Sequence, residues 1–418
     1  MSDSQNDIVL TDLSAPVFSE SAQDLLEQVA SIAPMLEISP KVLMDAATAE
    51  TGLTDFGDPW FQEPLEVLCE ALNTEAGLSD VGKTMVWVQL NGMLKNRLLI
   101  EQAINRHPEI EDLEISRPII IAGLPRTGTT HLHNLLAADP NLRHLPYWES
   151  LEPLLSDAEG DADPDPRRER AAQGLDVVNT AMPHFRAMHD MTADHAHEEI
   201  QLLALTFSTM FFETLVPMPT YRDWLKRTDQ SPAYAYLKRV LKVLQWARGG
   251  ERWVLKSPQH LSQFPVLLKT FPDATFVVTH RDPASVTVSL ATMTAYTARL
   301  QLASVDPVRI GAYWSARVED LLGDCTAERS VLPADQSLDI RFSDFMADEW
   351  GTVERIYATA GQPLTDEARR SMEDFISTHP RNRYGRIAYD PAALGIDVDD
   401  RRRALSTYID TFVSFDHD

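Results

Sequence analysis

RPIIIAGLPRTGTTHLHNLLAAD, residues 117–139, runs from an apolar strand through a glycine-bearing turn directly into a helix. Pro118 to Ala122 form the strand-like run, and GLPRTGTT, Gly123 to Thr130, forms the turn. In a strand–loop–helix of this kind, successive backbone N–H groups and the positive end of the helix dipole converge on one point, which favours a bound phosphate. Gly123 and Gly128 give the turn room to curl around an anion, and the hydroxyls of Thr129 and Thr130 add donors. The spacing G-x-x-x-x-G-x-T is that of a P-loop with one change. Thr129 stands where a nucleoside triphosphatase places its Lys, and the cation comes earlier, at Arg126. The stretch therefore predicts a phosphate ligand other than a nucleoside triphosphate.

Two further blocks repeat the pattern of an apolar strand ending in a polar, cationic loop. WVLKSPQHL, Trp253 to Leu261, places Lys256 at a strand end, and FVVTHRDPASVTVSL, Phe276 to Leu290, places Arg281 just beyond another. An Arg fork is suited to bidentate phosphate recognition. With these residues the chain resembles the sulfotransferases that use 3′-phosphoadenosine 5′-phosphosulfate (PAPS). Their 5′-phosphosulfate loop is similar to Pro125-Arg126-Thr127-Gly128-Thr129-Thr130, and their 3′-phosphate motif, an Arg with a Ser eight residues on, is similar to Arg281 and Ser289. Lys256 takes the place of their catalytic Lys. The resemblance spans residues 117 to about 290, and the arginine-rich segment near 381–395 extends it through Arg383, Gly385 and Arg386, in the place of a loop that gives cations and a Gly to the 3′-phosphate.

What the resemblance implies is sulfuryl transfer from PAPS, as co-substrate, to a small or lipid-like hydroxyl acceptor, with release of adenosine 3′,5′-bisphosphate and no need of a metal. Arg126, Lys256 and the loop N–H groups then stabilise the charge passing to the leaving nucleotide. A general base is also required, and here the family is divided. Cytosolic members place a His just after the Lys, where this chain has Ser257-Pro258 and then His260; several bacterial and Golgi members use a Glu some twenty residues beyond the loop, approximated by Glu149 of PYWES. Glu149 is the expected base, with His260, Glu198 and Glu199 as alternatives. An ATP-dependent P-loop kinase and a non-catalytic nucleotide-binding protein are the competing identities; the first lacks the loop Lys and a convincing Walker-B strand, and the second needs neither Lys256 nor an acceptor cleft.

Composition sets limits. The chain has 418 residues, 37 Lys and Arg against 63 Asp and Glu, and a formal charge of −26. Nucleic acid and anionic membrane surfaces are disfavoured partners, since both need clustered cations. Ligand phosphates must instead meet a local basic pocket. Cys69 and Cys325 are too few for a disulfide framework or thiolate metal site. The start MSDSQNDIVL lacks the features of a signal peptide, and Ile200 to Met218 falls short of a membrane span, so the reading is a cytoplasmic protein without a transmembrane segment.

Strand and helix signals predict an α/β fold, a P-loop-type parallel sheet flanked by helices, with residues 1–115 as an N-terminal helical cap and 116–418 as the α/β domain. Strands are expected at 118–122, 253–257, 275–280 and 338–342. Helices are expected near 129–138, 196–215, 232–248, 260–270, 284–299, 305–323, 348–361 and 365–378. In the cap, SPKVLMDAATAETG from Ser39 carries helix punctuation at both ends, and Leu78 to His107 reads as one long helix. The acidic stretch 156–168 is expected to be a surface loop and candidate lid. His195 and Glu199, spaced i, i+4, are expected to share a helical face at a helix start by the acceptor cleft. IQLLALTFSTMFFETLVPMP, residues 200–219, is apolar enough to line that cleft or to be buried core.

Overall fold

The computed structural model describes residues 7–160, 163–380 and 383–413; Arg381 and Asn382 of the arginine-rich segment and two residues of the acidic loop lie outside them. A short parallel pair joins β1 (Asp7–Val9) to β6 (Arg386–Ala388), and a central parallel sheet contains β2 (Ile119–Ala122), β3 (Val254–Ser257), β4 (Thr275–His280) and β5 (Ser337–Arg341) in the order β3-β2-β4-β5. Each of the four expected strands is present to within one residue at either end. Successive strand side chains point to opposite faces. Here Ile120, Ala122, Leu255, Phe276 and Val278 join one apolar cluster, while Ile119, Ile121, Val254, Val277 and Ile340 join another. Apolar on both sides, the sheet has to be covered on both, as parallel sheets are.

Helices follow the strands: Thr129–Ala137 after β2, Phe264–Thr270 after β3, Pro283–Thr297 after β4 and Phe342–Ala347 after β5. The loops between strand and helix therefore gather at the carboxyl edge of the sheet, where open α/β sheets bind ligands.

The N-terminal region is helical, as expected, over Glu20–Ala30, Pro40–Thr51, Gln62–Thr74 and Asp80–Arg106. Pro40 opens the second of these and Gly52, at φ 70°, closes it, while Ser39 occupies the cap position without a side-chain bond. The long helix is unbroken and buries Val86, Leu90, Leu94 and Leu98 in the cluster that also holds Ile120 and Phe276, whereas Val88 is exposed. The region expected as a helical cap also contains a strand, β1, whose Asp7 lies in register with Arg386 of β6.

The helix expected over 196–215 is also corrected. A single turn at Ile200–Leu203 ends at Phe207, in the left-handed region at φ 58°, and a second short turn covers Met210–Thr214. Tertiary partners take the backbone groups that a helix would pair within itself. Gln259 Oε1 accepts from the Met210 N–H (2.9 Å) and the Thr209 hydroxyl (2.6 Å), and the Tyr221 hydroxyl donates to Phe207 O (2.8 Å). Among the described residues no helix is long and apolar enough to cross a membrane.

Candidate active site

The loop between β2 and its helix is shaped by contacts that only glycine permits. A Cβ on Gly123 would lie 1.9 Å from Thr279 Oγ1 of β4, so β2 can leave the sheet this close to its neighbour only as Gly. Arg126 and Gly128 then take left-handed φ values of 73° and 85°. For Gly128 this costs little; for Arg126 it is strain of the kind that clusters at functional sites. Within the helix that follows, Leu132 N–H is paired to Gly128 O (3.0 Å), leaving the N–H groups of Thr129, Thr130 and His131 outside the ladder at the positive end of the dipole.

That helix end opens onto a cavity of about 680 Å³, and Arg126, Gly128, Thr129, Thr130, Arg281, Arg383 and Gly385 line its polar part. Arg126 donates from Nε to Ser289 Oγ (3.0 Å), from Nη1 to Met188 O (2.5 Å) and from Nη2 to the Tyr389 hydroxyl (3.2 Å). Arg281 donates to the carbonyl of Arg126 (2.6 Å) and lies 4.1 Å over the Phe342 ring. Its neighbour Asp282 is engaged by Arg402 (2.9 Å) and Ser285 (2.6 Å). Burial, then the adjacent Arg126 cation, lowers the Arg281 pKa from its ordinary value. Two guanidiniums thus face one loop with neutral hydrogen-bond partners, an arrangement an anion would relieve.

Not every residue expected of the site faces the cavity. Thr127 turns inward, donating to Leu124 O (2.7 Å) and meeting Thr279 Oγ1 (2.8 Å), because the left-handed Arg126 rotates the next side chain into the protein. Ser289 stands behind Arg126 as its hydrogen-bond partner. Arg386 is directed to solvent by its place in β6 and pairs with Asp7 (3.2 Å), whereas Arg383 is tied to Asp190, and Gly385 turns the chain at φ 95°.

At the end of β3, Lys256 is only 2% exposed, and its ammonium donates to the Glu198 carboxylate, which lines the cavity. The neighbouring Glu199 fixes the strand end: its two oxygens accept the Lys256 backbone N–H (2.6 Å) and His260 Nε2 (2.5 Å), while His260 Nδ1 meets the Tyr234 hydroxyl (2.9 Å). His260 is 1% exposed and is a strut of this network rather than part of the cavity wall.

Glu149 is likewise turned away. In the short helix Tyr147–Leu151, Tyr147 and Leu151 line the cavity; two residues along, about 200° around the helix, Glu149 points to the other side. It is fully buried between Arg143 (2.6 Å) and Arg248 (3.2 Å). The residue expected from the sequence to be the base is therefore buried on the side away from the cavity. The carboxylate that does reach the cavity beside Lys256 is Glu198.

His189, His195 and His197 also line the cavity. Burial first, then the charges of His195, Lys256 and Arg126, push the His189 pKa down to about 3. His195 and Glu199 do not share a helical face, since His195 Nδ1 contacts Thr192 O (2.7 Å) and Glu199 serves the β3 end. Among the described residues, no group of three or more His, Cys, Asp and Glu is placed to hold a metal ion. Much of the remaining lining is apolar, with Met85, Met182, Met188, Met210 and Met293 beside Phe211 and Trp314, interspersed with polar side chains such as Gln89, Gln201 and Gln301. Residues 200–219 contribute to both expected fates, as Ile200, Phe211 and Leu215 line the cavity and Leu203, Phe207 and Phe212 are core. Tyr389 and Phe342 carried no sequence signal, because their contacts with Arg126 and Arg281 join positions far apart in the chain.

Comparison with known proteins places this geometry. Residues 118–366 match the model of the sulfotransferase family. The crystal structure of sulfotransferase STF1 from Mycobacterium tuberculosis is 31% identical, covers 88% of this chain and 99% of its own, and superposes with a TM-score of 0.78. That of STF9 from Mycobacterium avium is 29% identical, covers 90% of this chain and 97% of its own, with a TM-score of 0.79. Omega-hydroxy-beta-dihydromenaquinone-9 sulfotransferase Stf3 of Mycobacterium bovis is 26% identical over 264 residues; the match takes in 58% of this chain and only 62% of that protein's length. With the family match, the parallel sheet and the glycine loop in agreement, the chain belongs to the sulfotransferase family.

Proposed function

We propose that the protein transfers the sulfuryl group of PAPS to the hydroxyl of a lipid-like acceptor and releases adenosine 3′,5′-bisphosphate. The observation that carries this reading is the pair Arg126 and Arg281, held over the glycine loop by neutral partners at the polar end of a largely apolar cavity. The loop N–H groups and Arg126 would take the 5′-phosphosulfate, and Arg281, with Arg383 nearby, the 3′-phosphate. Methionines adapt to irregular apolar ligands, and a relative is named for a hydroxylated menaquinone derivative. Both support an extended apolar alcohol as acceptor.

In the proposed reaction Glu198 accepts the acceptor's hydroxyl proton as the new O–S bond forms. The S–O bond to the nucleotide breaks, and Lys256 stabilises the negative charge left on its phosphate oxygen. The Glu198–Lys256 pair fits both roles, since the donor's phosphate can take the ammonium and free the carboxylate for the hydroxyl. Calorimetric titration with adenosine 3′,5′-bisphosphate and ATP, followed by transfer of labelled sulfate from PAPS to long-chain alcohols, tests the reading. Tight bisphosphate binding, weak ATP binding and a labelled sulfate ester are the expected results. Equal affinity for the two nucleotides, or no transfer to any apolar alcohol, would refute it.

A further inference from the structure

At the opposite, amino-terminal edge of the sheet lies a cavity of about 620 Å³ that none of the chemistry above uses. Its wall gathers Arg117, Arg143, Arg248 and Arg252 against one lining carboxylate, the exposed Glu251. In a chain with 63 acidic and 37 basic side chains, such a concentration of positive charge runs against the composition. We propose that this cavity is a second binding site, for a phosphate-class anion.

The argument rests on how the four guanidiniums are satisfied. Arg252 is 6% exposed and donates only to neutral acceptors, Arg117 O (2.7 Å), Gln362 Oε1 (2.9 Å) and Ala360 O (2.8 Å). Asp273 acts on this guanidinium through space but does not hydrogen-bond it, and a buried charge whose hydrogen-bond partners are all neutral is costly. Arg143 has a buried Nε with no hydrogen-bond partner, and its other end shares the single carboxylate of Glu149 with Arg248. Arg117 spends its backbone N–H on Asp273 (2.8 Å) and leaves its side chain exposed at the rim. Gly250, at φ 94°, presses against Arg143, where a Cβ would come within 2.8 Å of the side-chain stem, so the Gly249-Gly250 turn closes one wall. Forked guanidiniums are suited to bidentate recognition of phosphate oxygens.

The test is titration of inorganic pyrophosphate into the full chain with the cleft saturated by adenosine 3′,5′-bisphosphate, alongside phenylglyoxal modification of arginines mapped by mass spectrometry. Expected are pyrophosphate binding to the blocked protein, protection of Arg117 and Arg248 in the wild-type chain, and binding weakened by about tenfold or more in the folded Arg117→Gln/Arg248→Gln variant. Vesicles of phosphatidylcholine with and without phosphatidic acid form the second arm. Variant-sensitive binding only to the phosphatidic acid vesicles assigns the same site to a lipid headgroup. Pyrophosphate heat that vanishes when the cleft is blocked, with no protection of these arginines and no variant-sensitive vesicle binding, overturns the proposal. The protection map reports on Arg126 and Arg281 separately, so failure of the nucleotide reading is distinguishable from failure of this one.

Discussion

Glu198→Gln should separate donor binding from turnover. The Lys256 ammonium is nearly inaccessible, and Glu198 is its anionic partner, so a donor phosphate has to displace that carboxylate to reach the lysine. Gln at 198 removes the competing charge. A charge-assisted hydrogen bond is worth about 1.5–3 kcal/mol, so affinity for adenosine 3′,5′-bisphosphate should rise by roughly 10- to 100-fold. Loss of the base should lower turnover by about 10²- to 10⁴-fold. The ligand-free variant should also lose stability, because Lys256 is left buried and unpaired, a cost of about 3–5 kcal/mol that the bisphosphate restores. Calorimetry gives the affinity, labelled-sulfate transfer the turnover, and thermal melts with and without nucleotide the stability. The contrasting variant is Glu149→Gln. It breaks a fully buried pair with Arg143 and Arg248, so it should destabilise by a similar amount while the folded fraction keeps its turnover. Wild-type turnover in a folded Glu198→Gln variant, or weakened donor binding with unchanged turnover, would refute the assignment. Loss of turnover in a folded Glu149→Gln variant would return the base to the position first expected from the sequence.

Arg126→Ala and Arg281→Ala should each weaken binding of adenosine 3′,5′-bisphosphate or PAPS by about 1.5–3 kcal/mol in calorimetry; wild-type affinity in either folded variant removes that residue from the site. Gly123→Ala should abolish donor binding and lower the melting temperature, since its methyl would collide with Thr279 Oγ1 at 1.9 Å; a variant that melts and binds like wild type shows that the loop exit is adaptable. His133 is fully buried, and burial first, then the Lys256 charge, holds its pKa well below the ordinary value. Because the folded-state pKa is depressed, the neutral ring's contribution is complete above the unfolded pKa near 6.5 and is lost as pH falls below it. Wild type should therefore lose about 2 kcal/mol relative to His133→Gln between pH 7.5 and 5, read from denaturant midpoints, and parallel pH profiles for the two proteins would contradict this.

The sequence by itself determined the sheet and the glycine loop. IIIA is apolar at every position and TFVVTH through its consecutive Phe276, Val277 and Val278, so both faces must be covered, and a parallel, helix-flanked sheet is the economical solution. Gly123, Gly128 and the helix opened by Thr129 report local backbone geometry, which spacing encodes directly. Arg126 and Arg281 were legible for the same reason, each lying just beyond an apolar strand. What only the tertiary structure decided is which way side chains face once the chain has folded back on itself. Glu149 and Glu198 are both carboxylates at short helical turns, and nothing within a few residues of either says which reaches the cavity; the answer is set by Arg143 and Arg248 on one side and by Lys256 on the other. The break at Phe207 has the same origin, since Gln259 and Tyr221 supply the hydrogen bonds that a continuous helix would have made internally. The arginine cavity draws its members from positions 117, 143, 248 and 252, which only the parallel alignment of β2 with β3 brings together. Local spacing governs backbone conformation, but charge pairing and burial depend on partners distant in sequence, and those partners exist only in the folded molecule.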